Sequence, residues 1–180
     1  MSDVLIKSLS ENTLTSYIDY LHEHMSESGL NGNLVYTPFP LNFEHPKELM
    51  LKNIGDNIKK RLNESRWERV FLAFKDEKII AHAAIKGHYL EAALHRCELG
   101  LGMLPEARSK GLGLKMMQIV IQWLKNDTEL IWLDLSCFSH NTPALKLYTK
   151  LGFVNNGTMK DMFRVDGQSI DDHKMTLRLR

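Results

Sequence analysis

Residues 103–115, Met103-Leu104-Pro105-Glu106-Ala107-Arg108-Ser109-Lys110-Gly111-Leu112-Gly113-Leu114-Lys115, set two glycines and three cations where an apolar strand pattern gives way to a helical one. The chemistry such a junction offers is anion binding. The first N–H groups of a helix have no intrahelical acceptor. They sit at the positive end of the helix dipole, and glycines at 111 and 113 let the backbone approach a guest closely. The natural guest is a phosphate or pyrophosphate. The dipole contributes only about 0.3–1 kcal/mol when exposed, so several N–H bonds must carry the affinity. Arg108 and Lys110 are placed to add charge-assisted contacts. A nucleotide-triphosphate loop, G-x-x-x-x-G-K-[ST], is absent. The dinucleotide fingerprint G-x-G-x-x-G also fails, because Met116 stands where its third glycine belongs, and Gly100-Leu101-Gly102 fails the same test. The competing reading is that these glycines only shape a tight strand-to-helix turn.

The elements that must position this loop follow from period and punctuation. A short strand at 4–9 leads to a helix capped by Ser10 or Asn12, with Leu14, Tyr17, Ile18, Leu21 and Met25 on one face and Gly29 at its end. Residues 29–45 show no period and read as a long loop, a length often tied to function. Pro46 opens a second helix running to about residue 62. Strands at 70–74 and 79–85 form a hairpin around Asp76-Glu77. A third strand, 95–104, stops before Pro105, and Gly100 and Gly102 within it suggest a bulge or a close approach by another group. The strongest helix spans 112–125, with Leu114, Met117, Val120, Ile121 and Leu124 inward. Next comes a strand at 130–138, with Ile131, Leu133, Leu135 and Cys137 on one side. Asn141 caps a short helix that Gly152 ends. Two last strands, 153–164 and 173–180, join around Asp166-Gly167. The order is β-α-α-β-β-β-α-β-α-β-β, a mixed α/β domain.

The segment Arg108-Ser109-Lys110-Gly111-Leu112-Gly113 fits the [RQ]-x-x-G-x-[GA] signature of the GNAT superfamily of N-acetyltransferases. Residues 141–153, Asn141-Thr142-Pro143-Ala144-Leu145-Lys146-Leu147-Tyr148-Thr149-Lys150-Leu151-Gly152-Phe153, resemble the family's N-x-x-A-x-x-L-Y-x-x-x-G-F element. The two occur in the family's order, one helix and one strand apart, and the match extends over roughly residues 68–180. The resemblance implies a single domain over 1–180, with substrate-side helices and loop in 1–65 and an acetyl-CoA-binding core in 66–180. It implies central strands that splay apart. Acetyl-CoA is then the co-substrate. The amides of Arg108, Ser109, Lys110, Gly111, Leu112 and Gly113 hold its pyrophosphate. Leu101, Gly102, Met103 and Leu104 run along its pantetheine arm, with Asn141, Ala144 and Tyr148 on the other side. The acceptor is a small-molecule or peptide amine that attacks directly in a ternary complex. By analogy alone a homodimer is possible.

Aminolysis of a thioester needs a neutral amine, a stabilised oxyanion and a departing thiolate. The resemblance puts the oxyanion donor at a backbone N–H near Met103 and the leaving-group acid at Tyr148. A phenol of pKa about 10 transfers its proton uphill, by about 2 kcal/mol, to a thiolate whose acid has pKa about 8.5. Tyr148 therefore either has a lowered pKa or donates a strong hydrogen bond while water completes the transfer; the bland reading is an aromatic packed on a short helix. By the resemblance, Glu98, on the strand before the loop, stands where several family members place a carboxylate or a water held by one. Asp134, on the neighbouring strand, reads as a surface carboxylate. A lysine amine costs about 4–5 kcal/mol to neutralise at pH 7 and an α-amine only about 1, so an α-amine acceptor manages with a water relay. Tyr36 and Phe39, in the long loop, either wall the acceptor site or cover the core.

Bulk properties narrow the classes further. With 180 residues, 43% hydrophobic and 25% charged, the chain suits one domain with a sizeable core. A net charge of +1 gives no reason to expect nucleic acid or an anionic membrane as partner. The start, Met1-Ser2-Asp3-Val4, has no secretory pattern, and the apolar run at 119–124 is too short to span a bilayer. Cys97 and Cys137 have no metal or disulfide spacing, so a cytoplasmic setting is expected. Among eight histidines, His22 and His24 face different ways, and no metal is expected. Two other functions stand beside the acetyltransferase. One is a non-catalytic acyl-CoA-binding or regulatory domain on the same fold, against which Tyr148 argues. The other is a nucleotide-binding oxidoreductase, against which the missing third glycine argues.

Overall fold

A computed structural model describes residues 4–41 and 43–180; residues 1–3, read above for a leader, and Asn42 in the long loop lie outside the described residues. The elements are β1 (Leu5–Ser8), α1 (Glu11–Ser26), α2 (Lys47–Lys59), β2 (Glu68–Lys75), β3 (Lys78–Gly87), β4 (Arg96–Met103), α3 (Leu112–Asp127), β5 (Trp132–Phe138), α4 (Thr142–Lys150), β6 (Val154–Val165) and β7 (Gln168–Arg178). This is the order expected from period and punctuation. The strands form one sheet in the order β1-β2-β3-β4-β5-β7-β6, antiparallel except between β4 and β5.

Each face of the sheet is covered by a pair of helices. On one, Leu99, Leu133, Leu135 and Cys137 pack against Met116, Met117, Val120 and Leu124 of α3 and Tyr148 of α4. On the other, Val70, Leu72 and Ala84 pack against Tyr17, Ile18, Tyr20 and Leu21 of α1 and Ile54 of α2. Burying each large apolar side chain contributes roughly 1.5–3 kcal/mol, so alternation along β2 to β5 fixes which side of each strand meets which helix pair.

The β4–β5 pairing positions the site. The two strands are in register only at Arg96↔Trp132, Cys97↔Leu133 and Glu98↔Asp134. Beyond that row they part: residues 99–103 of β4 pair only with β3, and residues 135–138 of β5 only with β7. The expected splay of the central strands is thus present, as a wedge opening towards the start of α3.

Several boundaries differ from expectation. Helix α1 ends at Ser26, where Glu27 closes it, and Gly29 instead serves the next turn at φ +76°. Pro46 is the N-cap residue of α2 rather than its first turn, and α2 stops at Lys59. The inward face of α3 uses Met116, fully buried, in place of the half-buried Leu114. β5 begins at Trp132, two residues later than expected, and Ile131 is exposed. The last strand starts five residues early, at Gln168, because Asp166 and Gly167, both left-handed, make a two-residue turn that pairs Val165 with Gln168 at once. The bulge expected at Gly100 and Gly102 is absent, since the β3–β4 register is continuous from Ala81↔Met103 to Gly87↔Cys97.

Candidate active site

The loop from β4 to α3 makes a cradle of amides. Ser109 (φ +58°) and Gly111 (φ +77°) are both left-handed, one residue apart. Such alternation turns successive N–H groups towards a common side. Gly111 is the N-cap, and the first helical bond is from the Lys115 N–H to the Gly111 carbonyl. Among the described residues the N–H groups of 109–114 have no backbone acceptor. Such free amides at a helix start suit a phosphate. Gly111 is open to its surroundings, and a Cβ there would meet nothing within 4 Å. Gly113 has a different reason to be glycine: a Cβ would lie 2.7 Å from Met103 Cε and 3.2 Å from Leu147 Cδ2. It lets the start of α3 close on the end of β4 and on α4, which draws three elements together at the mouth of the wedge.

The two cations of this loop have different settings. The exposed Lys110 makes no side-chain bond among the described residues. Arg108 is already engaged. Its Nε donates to the Met103 carbonyl at 3.0 Å, one terminal nitrogen donates to Asn33 Oδ1 at 2.6 Å, and its guanidinium lies 5.3 Å from the Tyr36 ring centre. The Glu27 carboxylate is 3.8 Å away, and burial pushes that carboxyl up while Arg108 holds it down. The Arg108 amide is used as well, donating to the Pro105 carbonyl. Arg108 thus braces the long loop against β4.

Along the wedge, backbone polarity alternates. The Leu104 N–H donates to the Ile80 carbonyl of β3 at 2.9 Å. Strand alternation then turns the N–H groups of Met103 and Leu101 to the opposite edge, facing the wedge. Leu104 itself is fully buried with its N–H committed to β3, so it does not border the wedge as expected. Leu112 is likewise buried in the core, leaving only its amide to the cradle.

Across the wedge, Asn141 caps α4 by accepting from the Ala144 N–H at 3.3 Å. This helix lays Tyr148 over the splayed half of β5, with its ring 5.6 Å from that of Phe153. Tyr148 is 6% exposed. Burial, and secondarily Cys137, push its phenol up, the opposite direction from a lowered-pKa acid, so Tyr148 is neutral with a hydroxyl proton to donate. Both thiols are buried and free; burial pushes Cys97 up, and Cys137 up to about 12, which disfavours the thiolate.

The opposite face of β4 is the face towards α1. Register lines up Glu68, Lys86, Glu98, Asp134 and Thr176 in one row across five strands. Arg96 binds Asp134 through two bonds, 2.6 and 2.7 Å, and Asp134 also accepts from the Thr176 hydroxyl, so Asp134 is a sheet brace. Glu98 is exposed and has no side-chain partner among the described residues. Beside it Gly100 leaves a hollow where a Cβ would meet nothing within 4 Å. At Gly102 the same atom would sit 2.4 Å from both His24 Nε2 and His82 Cε1. That glycine makes room for histidines rather than for a ligand.

Tyr36 is brought to the site, stacked 4.9 Å from His24 and donating to the His24 carbonyl at 2.6 Å. Phe39 is not. It is 37% exposed, stacks on Phe43 and meets His45 edge-on. Sequence reasoning missed Tyr20, His24, His82 and Asn33. The i, i+3, i+7 spacing of Tyr17, Tyr20 and His24 on α1 was the available signal for two of them. Among the described residues, no three His, Cys, Asp or Glu converge as metal ligands, and no helix is long and apolar enough to cross a membrane.

A wedge between parallel strands thus opens towards an amide cradle, and comparison with known proteins places the chain in a family. Residues 34–153 match the model of the acetyltransferase (GNAT) family, and the chain belongs to that family. It is 24% identical over 135 residues to the L-amino acid N-acetyltransferase AaaT of Escherichia coli, covering 75% of this chain and 79% of that protein. It is 28% identical over 101 residues to the ribosomal protein uS5-alanine N-acetyltransferase of the same organism, covering 56% of this chain but only 52% of that one. Among solved structures, an N-acetyltransferase from Staphylococcus aureus superposes with a TM-score of 0.81 at 15% identity, covering 99% of this chain and all of that one. The acetyltransferase yncA of Salmonella typhimurium, solved with acetyl-CoA, gives 0.79 at 15% identity, covering 99% and 95%.

Proposed function

We propose that this protein transfers an acetyl group from acetyl-CoA to a primary amine, by direct attack within a ternary complex and as one domain over residues 1–180. One observation carries the reading: β4 parts from β5 beyond Glu98↔Asp134 and then leads into a loop whose amides at 109–114 have no backbone acceptor among the described residues. An acyl donor with a long thin arm and a pyrophosphate needs those two features joined. Amides 109–114 hold the pyrophosphate, with Lys110 adding charge. The edge groups of Leu101 pair with the arm, and Asn141 and Ala144 close its other side. The Met103 N–H faces the wedge and stabilises the developing oxyanion. The Tyr148 hydroxyl donates to the departing sulfur without giving up its proton fully, and solvent completes the transfer.

The acceptor approaches from the α1 face, over Gly100. Its amine loses a proton to Glu98, directly or through water, and Tyr36 forms one wall of the approach. Names of relatives point the same way, since the two described above act on an L-amino acid and on an alanine of a ribosomal protein. An α-amine costs about 1 kcal/mol to neutralise at pH 7, which an exposed carboxylate such as Glu98 can supply. Two buried unpaired thiols suit a reducing, cytoplasmic setting. A homodimer is part of the same proposal, supported by the outer strand β6, which exposes Val154, Met159 and Met162.

The test is release of free CoA thiol from acetyl-CoA in the presence of a panel of free amino acids, peptides with a free N-terminus, and polyamines. Acceptor-dependent release, reduced by Glu98→Gln with acetyl-CoA affinity retained, is the expected result. Tight binding of acetyl-CoA with no release for any amine would replace catalysis by a binding role.

A further inference from the structure

Tyr20 lies on α1, is 4% exposed, and stands between the rings of Tyr17 and His24. Its hydroxyl makes two contacts, each of 3.1 Å: one to the Gly102 carbonyl and one to His82 Nδ1. A carbonyl cannot donate, so the hydroxyl proton goes to Gly102, and the contact with His82 is satisfied only if Nδ1 carries a proton. Burial keeps His82 neutral and Tyr20 protonated, so each group has one proton to give and the order is His82 Nδ1–H to Tyr20 oxygen, then Tyr20 O–H to the Gly102 carbonyl. That carbonyl belongs to the same peptide unit as the Met103 N–H. The carbonyl points towards β3 and α1, and the N–H points into the wedge.

Resting on the acetyltransferase reading above, we infer that Tyr20 is a positioning residue that strengthens the oxyanion donor from behind: its hydrogen bond to Gly102 polarises the peptide whose N–H, at Met103, faces the thioester carbonyl. Linked hydrogen bonds reinforce each other, by about 10–30% per bond. The same bond also fixes the peptide plane, together with the His24 and His82 rings packed against the Gly102 α-carbon. None of these three side chains touches the reacting atoms. Removing an oxyanion donor outright costs about 10²–10³ in turnover. Weakening one by about 10–30% therefore lowers kcat by about two- to eightfold, with the KM for acetyl-CoA unchanged.

The decisive readout is independent of the acceptor and of turnover. Acetyl-CoA labelled with ¹³C at its carbonyl is bound to the intact protein, and the thioester stretch is followed by isotope-edited infrared spectroscopy. In the wild type the band moves to lower frequency than in water. Tyr20→Phe, which keeps the ring stack, returns part of that shift. Incorporation of 3-fluorotyrosine at position 20 alone lowers the phenol pKa, makes a stronger donor without removing an atom, and moves the band further down; it also keeps the test alive if the phenylalanine variant does not fold. A wild-type shift that neither change alters would overturn the inference. Failure of wild-type acetyl-CoA to bind, or to show any shift, would instead overturn the acetyltransferase reading on which it rests.

Discussion

Arg108 is the sharpest place to separate bracing from binding. Arg108→Ala removes a 3.0 Å bond to the Met103 carbonyl, a 2.6 Å bond to Asn33 Oδ1 and the stacking over Tyr36. A buried charge-assisted bond contributes about 1.5–3 kcal/mol, and an exposed cation–aromatic contact about 0.5–1 kcal/mol. The side chain is 32% exposed, which screens these terms, so we expect a combined loss of about 2–4 kcal/mol. In a chain of this length each kcal/mol moves Tm by about 2–4 °C, which gives a drop of about 4–16 °C. Thermal unfolding reads that drop, and calorimetric titration with CoA at two salt concentrations reads the affinity. The brace predicts a large fall in Tm with less than about a fivefold change in Kd, roughly 1 kcal/mol. Lys110→Ala should do the reverse, leaving Tm alone and weakening CoA in a salt-dependent way. If Arg108→Ala leaves Tm unchanged and abolishes CoA binding, its guanidinium is a phosphate ligand and the reasoning fails.

Further predictions follow from the same geometry. Tyr148→Phe should lower kcat by about 10- to 100-fold, the value of one hydrogen bond to a developing charge, with the KM for acetyl-CoA unchanged. Because burial raises the phenol, the pH–rate profile should show no limb from Tyr148 below pH about 10. Asp134→Asn should cost about 1–2 kcal/mol of stability by loosening the Arg96 pair, while kcat changes less than about twofold in steady-state assays. His24 is held down, from 6.5 to about 4, by burial and then by Arg108. Its unfolded form binds the proton first, so stability is full above pH 6.5 and is lost as pH falls from there towards 4. Urea unfolding at pH 7 and pH 5 should differ by about 2 kcal/mol from this group alone, and His24→Gln should flatten that difference.

What could be read without coordinates was what the chain encodes locally. Periodicity in α3, the Asp-Gly turn at 166–167 and the Asn141 cap are decided by neighbours within a few residues, and they were legible. The amide cradle was legible for the same reason, because glycine at 111 and a helix start just beyond it need only local geometry. Cross-strand packing decided the rest. Gly102 looked like room for a ligand, yet it accommodates two histidines, one from α1 and one from β3. Arg108 looked like a phosphate cation, yet its partner Asn33 is 75 residues away. Gln168 to Asp172 read as loop because they are polar. Ile170 and Asp172 are nonetheless buried, paired from β7 against the neighbouring strands.

In the proposed complex one molecule, acetyl-CoA, spans the cradle and the wedge. Amide chemical shifts on a ¹⁵N-labelled sample titrated with CoA test it most directly. Large, saturable shifts are expected at Ser109, Lys110, Gly111, Leu112 and Gly113 together with Leu101 and Met103, and little change at Leu104, whose N–H is already given to Ile80. Shifts confined to the cradle, or centred elsewhere on the sheet, would contradict it.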